Sequence, residues 1–422
     1  MIALGWLALI LIAAPEEDAA ARSERAARAM LDERFAEAET LYLELVRADP
    51  GNPGLLLNLG LAQQSLGKQR EAADRFRAVA KLQPGMPLAW FLLGVAEHKL
   101  GRPAEALQPL ERVLEIEPAH HAAALELAEA LFDLGRYEAA ATRFYRVVET
   151  EPGSLRGWQA LGTSYILLAR RALGEVPPES AWWWALMGRE RAEAGRLEVA
   201  SAFYREALAK DPKLYGAHAA LAGLYSAAGH DDWARAELER EEQLPEPDCT
   251  QETPECELRN QRYWQAVEAA GKLSGPRAAY WKARACYELA NVAFARLAEA
   301  PVSEEFHERL AETHRLLGRH AAAVKSWEEA LTLTPGDRDL ERQLAQSLFD
   351  ARDYLSARRL LERLVAAEPD SPELNWLFGQ TLQALGQGER AEAYLKKGRA
   401  PASKPPLPPR AQALENQTRL KR

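Results

Sequence analysis

Apolar residues along this 422-residue chain recur every three or four positions, and glycine or proline interrupts the pattern at regular intervals. That period lays the apolar side chains along one face of a helix. The interruptions themselves repeat. Pro50, Pro84, Pro118 and Pro152 are spaced by 34, as are Pro335 and Pro369. Ala38, Ala72, Ala106 and Ala140 keep the interval, which returns at Ala200 and Ala234 and again at Ala323, Ala357 and Ala391. Gly60, Gly94, Ala128 and Gly162 form a third series, and Gly67, Gly101 and Gly135 a fourth, resumed at Gly195, Gly229, Gly318 and Gly386.

Each series has a physical reason. A small residue at the eighth place and an Ala at the twentieth let two helices approach closely. Large apolar residues fill the rest of the seam, as Leu59, Phe76 and Val79 do in one unit and Leu93, Leu110 and Val113 in the next. The Gly at place fifteen ends the first helix by taking a left-handed conformation without a Cβ penalty. The Pro at place thirty-two ends the second, having no N–H to donate. Such a pair cannot bury its apolar face alone, so it stacks on its neighbours.

The stretches LLLNLGLAQQSLGKQREAADRFRAVAKLQP, AWFLLGVAEHKLGRPAEALQPLERVLEIEP and WWALMGRERAEAGRLEVASAFYREALAKDP resemble the tetratricopeptide repeat, with Trp90, Trp158 and Trp184 on the family's Trp position. The resemblance implies an all-α fold, a right-handed α-solenoid of about twelve units across residues 19–400. Two units, starting at 155 and 278, are short: each has a first helix, a Pro-containing break and then another first-type helix. In the unit at 247 a Cys/Pro segment disrupts the first helix. These irregularities predict either a bend or lateral ledge, or plain repeat decay. The expected organisation is a signal segment over 1–21, a regular array over 22–154, an irregular array over 155–303, a regular array over 304–400 and a Pro-rich basic disordered tail over 401–422.

In the tetratricopeptide family, places 2, 5, 9 and 12 of each first helix line a concave groove. Carried over, the early groove is apolar: Leu57 and Leu61, then Leu88, Phe91, Val95 and His98, then Leu125 and Phe132. The later groove is polar, with Glu305, Glu308, Glu312 and Arg315, then Asp339, Arg342 and Gln346. That gradient predicts a partner docking an apolar segment on the N-terminal half, unless these side chains only pack inside a tight superhelix. Some family members clamp a C-terminal carboxylate with Lys, Asn and Arg. Only Asn58 matches, while Ser23, Ala27, Leu88 and Leu92 fill the other places, so no such clamp is expected.

Composition adds little and excludes something. A formal charge of -9 argues against nucleic acid, whose phosphates call for Lys and Arg. Ile2 to Ala14 is apolar and uncharged. As a helix it would rise only about 20 Å, against a bilayer core of about 30 Å. It fits the core of a signal peptide, cleaved near Ala19-Ala20-Ala21, with an uncleaved membrane anchor as the alternative. The expected location is periplasmic or secreted. Membrane contact is expected only through that segment if uncleaved, or weakly through the basic tail.

An oxidising compartment permits disulfides. Of the three cysteines, Cys249 and Cys256 share the non-helical stretch PEPDCTQETPEC and are the expected pair, with Cys286 a buried thiol on a helix.

No catalytic motif is present: there is no G-x-S-x-G, H-E-x-x-H, Walker loop or G-x-G-x-x-G. The chain is therefore expected not to be an enzyme and to hold no cofactor and no metal. His307 and His314 lie about 10 Å apart along a helix, too far for one ion. Trp182, Trp183 and Trp184 spread over about 200° of a helix. Trp184 belongs to repeat packing. Trp182 and Trp183 either fill a gap left by the short unit or form an aromatic ledge for a peptide or glycan. The function expected is a non-enzymatic scaffold for protein or peptide partners in envelope or secretion assembly. The alternative is a substrate-presenting accessory to a glycan- or peptide-modifying enzyme.

Overall fold

The computed structural model describes residues 19–247, 249–250 and 253–398, so the expected signal segment through residue 18 and the expected tail over 401–422 lie outside the described residues. Among the described residues there are 22 α-helices and no strand. The chain packs as two compact units, one ending at Arg143 and one beginning at Phe144.

The first unit pairs α1 (Ala19–Leu31) with α2 (Phe35–Ala48), α3 (Pro53–Ser65) with α4 (Gln69–Leu82), and α5 (Pro87–Lys99) with α6 (Pro103–Ile116). It continues with α7 (His121–Asp133), and α8 (Tyr137–Thr150) crosses the division. The glycines at the eighth place are required by contact. A Cβ at Gly60 would sit 2.6 Å from the Phe76 ring, and one at Gly94 would sit 2.6 Å from Leu110. Ala72, Phe76 and Val79 are fully buried in the seam.

The turn between paired helices runs through a left-handed residue, Gly67 at φ 74° and Gly101 at φ 70°. Glu33, Gln261 and Arg352 hold the same place at φ 57°, 56° and 65°, each at a cost of about 1–2 kcal/mol that glycine avoids. The family's Trp position also has a physical role. Trp90 Nε1 donates to the Pro84 carbonyl at 3.0 Å and Trp158 Nε1 to the Pro152 carbonyl at 2.8 Å. Asn375 reaches the Pro369 carbonyl at 2.9 Å from the same place. A carbonyl left over at a helix end thus gains a donor from the next unit.

The second unit begins with α9 (Leu155–Leu173), α10 (Ala181–Glu193), α11 (Leu197–Lys210), α12 (Ala217–Ala227) and α13 (Asp231–Glu242). Next come α14 (Pro254–Arg259), α15 (Tyr263–Gly271), α16 (Gly275–Ala298), α17 (Glu304–Leu316) and α18 (His320–Leu333). It ends with α19 (Arg338–Asp350), α20 (Tyr354–Ala367), α21 (Pro372–Ala384) and α22 (Gly388–Leu395). Around α18 to α22, Trp327, Leu361 and Phe378 anchor a continuous core.

The two short units are not separate repeats. In ordinary pairs the residue that fills the space above the eighth-place glycine follows it by 16, as in Gly60–Phe76, Gly188–Tyr204 and Gly379–Leu395. Above Gly162 of α9 lies the ring of Phe294 on α16, 132 residues later. Ala290 and Leu297, both fully buried, take the places that Ala72 and Val79 take in α4. The second half of α16 is therefore the second helix of α9, which corrects the reading of α16 as a first-type helix alone. The array resumes when α17 packs on α9, with Arg170 Nη2 donating to the Leu316 carbonyl at 3.0 Å. Helices α10 to α15 form an excursion between the two halves of one pair.

The Cys/Pro segment also departs from expectation. Pro254–Arg259 is helical, so Cys256 lies on a helix and not in an irregular stretch, and α14 is the surviving end of a first helix. Thr253 caps it by accepting from the Cys256 N–H at 3.3 Å.

Candidate functional site

On α3, α5 and α7 the expected groove residues recur at helical spacing and share one face of each helix. Leu57 and Leu61 rest on the cluster built from Phe76 and Leu93. Leu88 is 47% exposed. The Phe91 ring lies 5.0 Å from His120, and Phe132 lies 5.3 Å from Tyr137. Leu57, Leu61, Phe91, Val95, Leu125 and Phe132 are all half-buried. Each is thus partly packed and partly open to solvent.

His98 ends this row in a way the sequence reading missed. Its Nδ1 lies 3.2 Å from Glu126 and its Nε2 2.9 Å from Asp133, both on α7. The hydrogen bond to Glu126 outweighs the cost of burial, and with help from Asp133 the imidazole is pushed up to about 9. His98 is thus a cation at neutral pH. Glu129 joins the cluster, and ligand atoms of His98, Glu126 and Glu129 lie within 4.8 Å of one another. These three are the described residues that could share a metal ion. A metal ion there would have to displace the proton on His98.

The later first helices are polar, as expected, and their charges are partly engaged. Arg342 on α19 pairs with Glu368 at 2.5 Å, and Arg309 on α17 with Glu312 at 3.0 Å.

The Trp run does not form a two-ring ledge. Trp183 is only 6% exposed and meets Trp184 edge-on at 4.9 Å. Trp182 is half-buried and stacks on Tyr280 of α16 at 6.1 Å. Trp182 fills space between α10 and α16, where α16 folds back, and Trp183 is part of the core. Cys249 and Cys256 are placed as a bonded pair with Cα atoms 5.7 Å apart, and Cys286 is buried on α16.

The excursion encloses one further feature that sequence reasoning passed over. A cavity of about 160 Å³ between α10, α11, α12 and α16 is lined by Arg189, Arg284, Glu288 and three tyrosines.

Models of the tetratricopeptide repeat match residues 57–118 in one form, and 97–163 and 348–417 in another. A comparison with curated proteins returns no match. Among solved structures, the MamA protein is 19% identical, over 46% of this chain and 92% of that one, with a TM-score of 0.35. A tetratricopeptide repeat protein from Parabacteroides merdae is 14% identical, over 78% and 98% of the two chains, also with a TM-score of 0.35. YrrB, described as having an unusual peptide-binding site, is 15% identical, over 55% and 98%, with a TM-score of 0.28. With the repeat models matched in both halves of the chain, and helix pairs closed by glycine, alanine and proline at the interval those repeats demand, the chain carries tetratricopeptide repeats.

Proposed function

We propose that the chain is a non-enzymatic scaffold that holds a segment of a protein partner along α3, α5 and α7. The observation that carries this reading is the row of half-buried apolar side chains from Leu57 to Phe132, one face of each of three successive first helices. Contiguous apolar surface left partly open to solvent marks an interaction face. The partner is therefore an amphipathic segment with large apolar residues on one side.

The setting we propose is outside the cytoplasm, in assembly of envelope or secretion complexes. The apolar, uncharged start of the sequence and the paired placement of Cys249 and Cys256 support it. A membrane anchored through that first segment is the alternative setting. The accessory-enzyme reading rested on an exposed Trp182–Trp183 ledge, and the burial of Trp183 takes that support away.

A displayed peptide library panned on the full chain tests the binding reading. The expected result is enrichment of amphipathic apolar segments, lost with Phe91→Glu and Phe132→Glu but kept with Leu355→Glu, whose side chain is exposed on α20. No enrichment, or enrichment indifferent to the groove substitutions, would count against it.

A further inference from the structure

The cavity between α10, α11, α12 and α16 has the composition of a binding site for an acid. Arg284 of α16 reaches into it without a counter-ion: among the described residues no carboxylate lies within ion-pair distance of its guanidinium. Its Nη1 donates to the Tyr215 carbonyl at 2.6 Å and to the Tyr280 hydroxyl at 3.3 Å. The rings of Tyr215, Trp281 and Tyr280 flank it at 5.3, 5.5 and 5.8 Å. Nε and Nη2 make no hydrogen bond among the described residues, so the fork keeps donors to spare.

The surroundings are built around that guanidinium. Gly216 stands at φ 76°, and a Cβ there would fall 2.5 Å from Arg284 Nη2. Any other residue would be strained and would push the arginine aside. Arg189 of α10, the second arginine, is paired with Glu288 at 2.5 Å, and its Nε is buried without a partner. The Tyr204 hydroxyl also has no hydrogen-bond partner among the described residues, although Tyr204 lines the cavity. Burial pushes that phenol up to about 12, so it stays a donor at neutral pH. Tyr280 accepts from Arg284 and keeps its own proton free to donate.

Charge decides the class of ligand. The charged side chains lining the cavity are Arg189, Arg284 and Glu288, a sum of one positive charge. A monoanion balances it. A dianion would leave surplus negative charge beside Glu288, which is unfavourable. Ala185, Ala217 and Ala220 supply an apolar wall against which a short carbon body can rest.

We propose that this cavity binds the carboxylate of an organic monoanion, received by Arg284 and by the Tyr204 and Tyr280 hydroxyls. The source is a free small acid or the carboxylate end of a chain, and both present the same group. The site uses none of the groove residues on α3, α5 and α7, so its fate is independent of the scaffold reading.

Titration of the full chain by calorimetry and ligand-observed NMR tests it. The probes are benzoate, acetate, inorganic phosphate and chloride, with a tripeptide as the free acid and as the amide. The expected result is saturable one-to-one binding of benzoate or acetate, with phosphate no better than chloride. Arg284→Met weakens the acid by about tenfold or more, the worth of a charged hydrogen bond, and Tyr204→Phe weakens it severalfold. Binding of the free-acid tripeptide but not its amide identifies a chain end; binding of benzoate and acetate alone identifies a small acid. No saturable acid binding overturns the proposal. So does equal binding by a folded Arg284→Met chain, or phosphate outcompeting the acids. If Arg284→Met does not fold, an unchanged affinity in Tyr204→Phe overturns it.

Discussion

The closure of α9 by α16 predicts an energetic coupling between two residues far apart in sequence. Gly162 is buried in the middle of α9, and a Cβ there would overlap the Phe294 ring. In the native background, Gly162→Ala carries two opposing effects. Overpacking costs about 1–3 kcal/mol, and replacing a mid-helix glycine returns about 1 kcal/mol of helix propensity. The net is a destabilisation of about 0–2 kcal/mol. With Phe294→Ala the overlap disappears, and the same substitution should stabilise α9 by about 1 kcal/mol. The double-mutant cycle should therefore show about 1–3 kcal/mol of coupling. A repeat array need not unfold in a single step, so a global melt is a poor assay. Hydrogen exchange of the α9 amides reads the local opening free energy directly. The pair Gly60 and Phe76, neighbours within one ordinary unit, serves as the positive control. If Gly162→Ala has the same effect with and without Phe294, α16 is not the second helix of α9.

Two other expectations concern charge and sulfur. His98 is pushed up to about 9 from 6.5, so its stabilisation is complete below pH 6.5 and is lost as pH rises through 9. Because Asp133 is 55% exposed, we expect about 1–2 kcal/mol in favour of the native chain over His98→Gln at pH 6, shrinking toward nothing at pH 10. Urea unfolding followed through exchange in α5 and α7 measures this, and a pH-independent difference would contradict it. Cys249 and Cys256 should resist alkylation until reduced, while Cys286 should react only after unfolding because it is fully buried. Mass spectrometry of peptides after alkylation under each condition decides both.

The regular repeats were legible because their signals are local. Gly67 turns the chain, Phe76 fills the space above Gly60 and Trp90 satisfies the Pro84 carbonyl, all within one unit or its neighbour. The α9–α16 closure was not legible from the 34-residue interval, since its partners lie 132 residues apart. A signal did exist: Ala290, Phe294 and Leu297 repeat the spacing of Ala72, Phe76 and Val79. It was masked because the first half of α16, with Trp281 and Ala285, fits a first helix. The acidic cluster at His98 was hidden for another reason, as Glu126 and Asp133 read as ordinary solvated charges on a helix face. The Arg284 cavity depends on α16 folding back across α10 and α12, so no local pattern could announce it. The half-burial of the apolar row from Leu57 to Phe132 followed from the phase of the repeat, which sets which positions of each first helix stay off its buried face.

The most direct test of the scaffold account is hydrogen exchange across the full chain with and without a library-selected peptide. The account predicts slowed exchange in α3, α5 and α7, centred on the segments holding Leu57, Phe91 and Phe132, and abolished by Phe91→Glu. Protection confined to other helices, or protection there that survives Phe91→Glu, would contradict it.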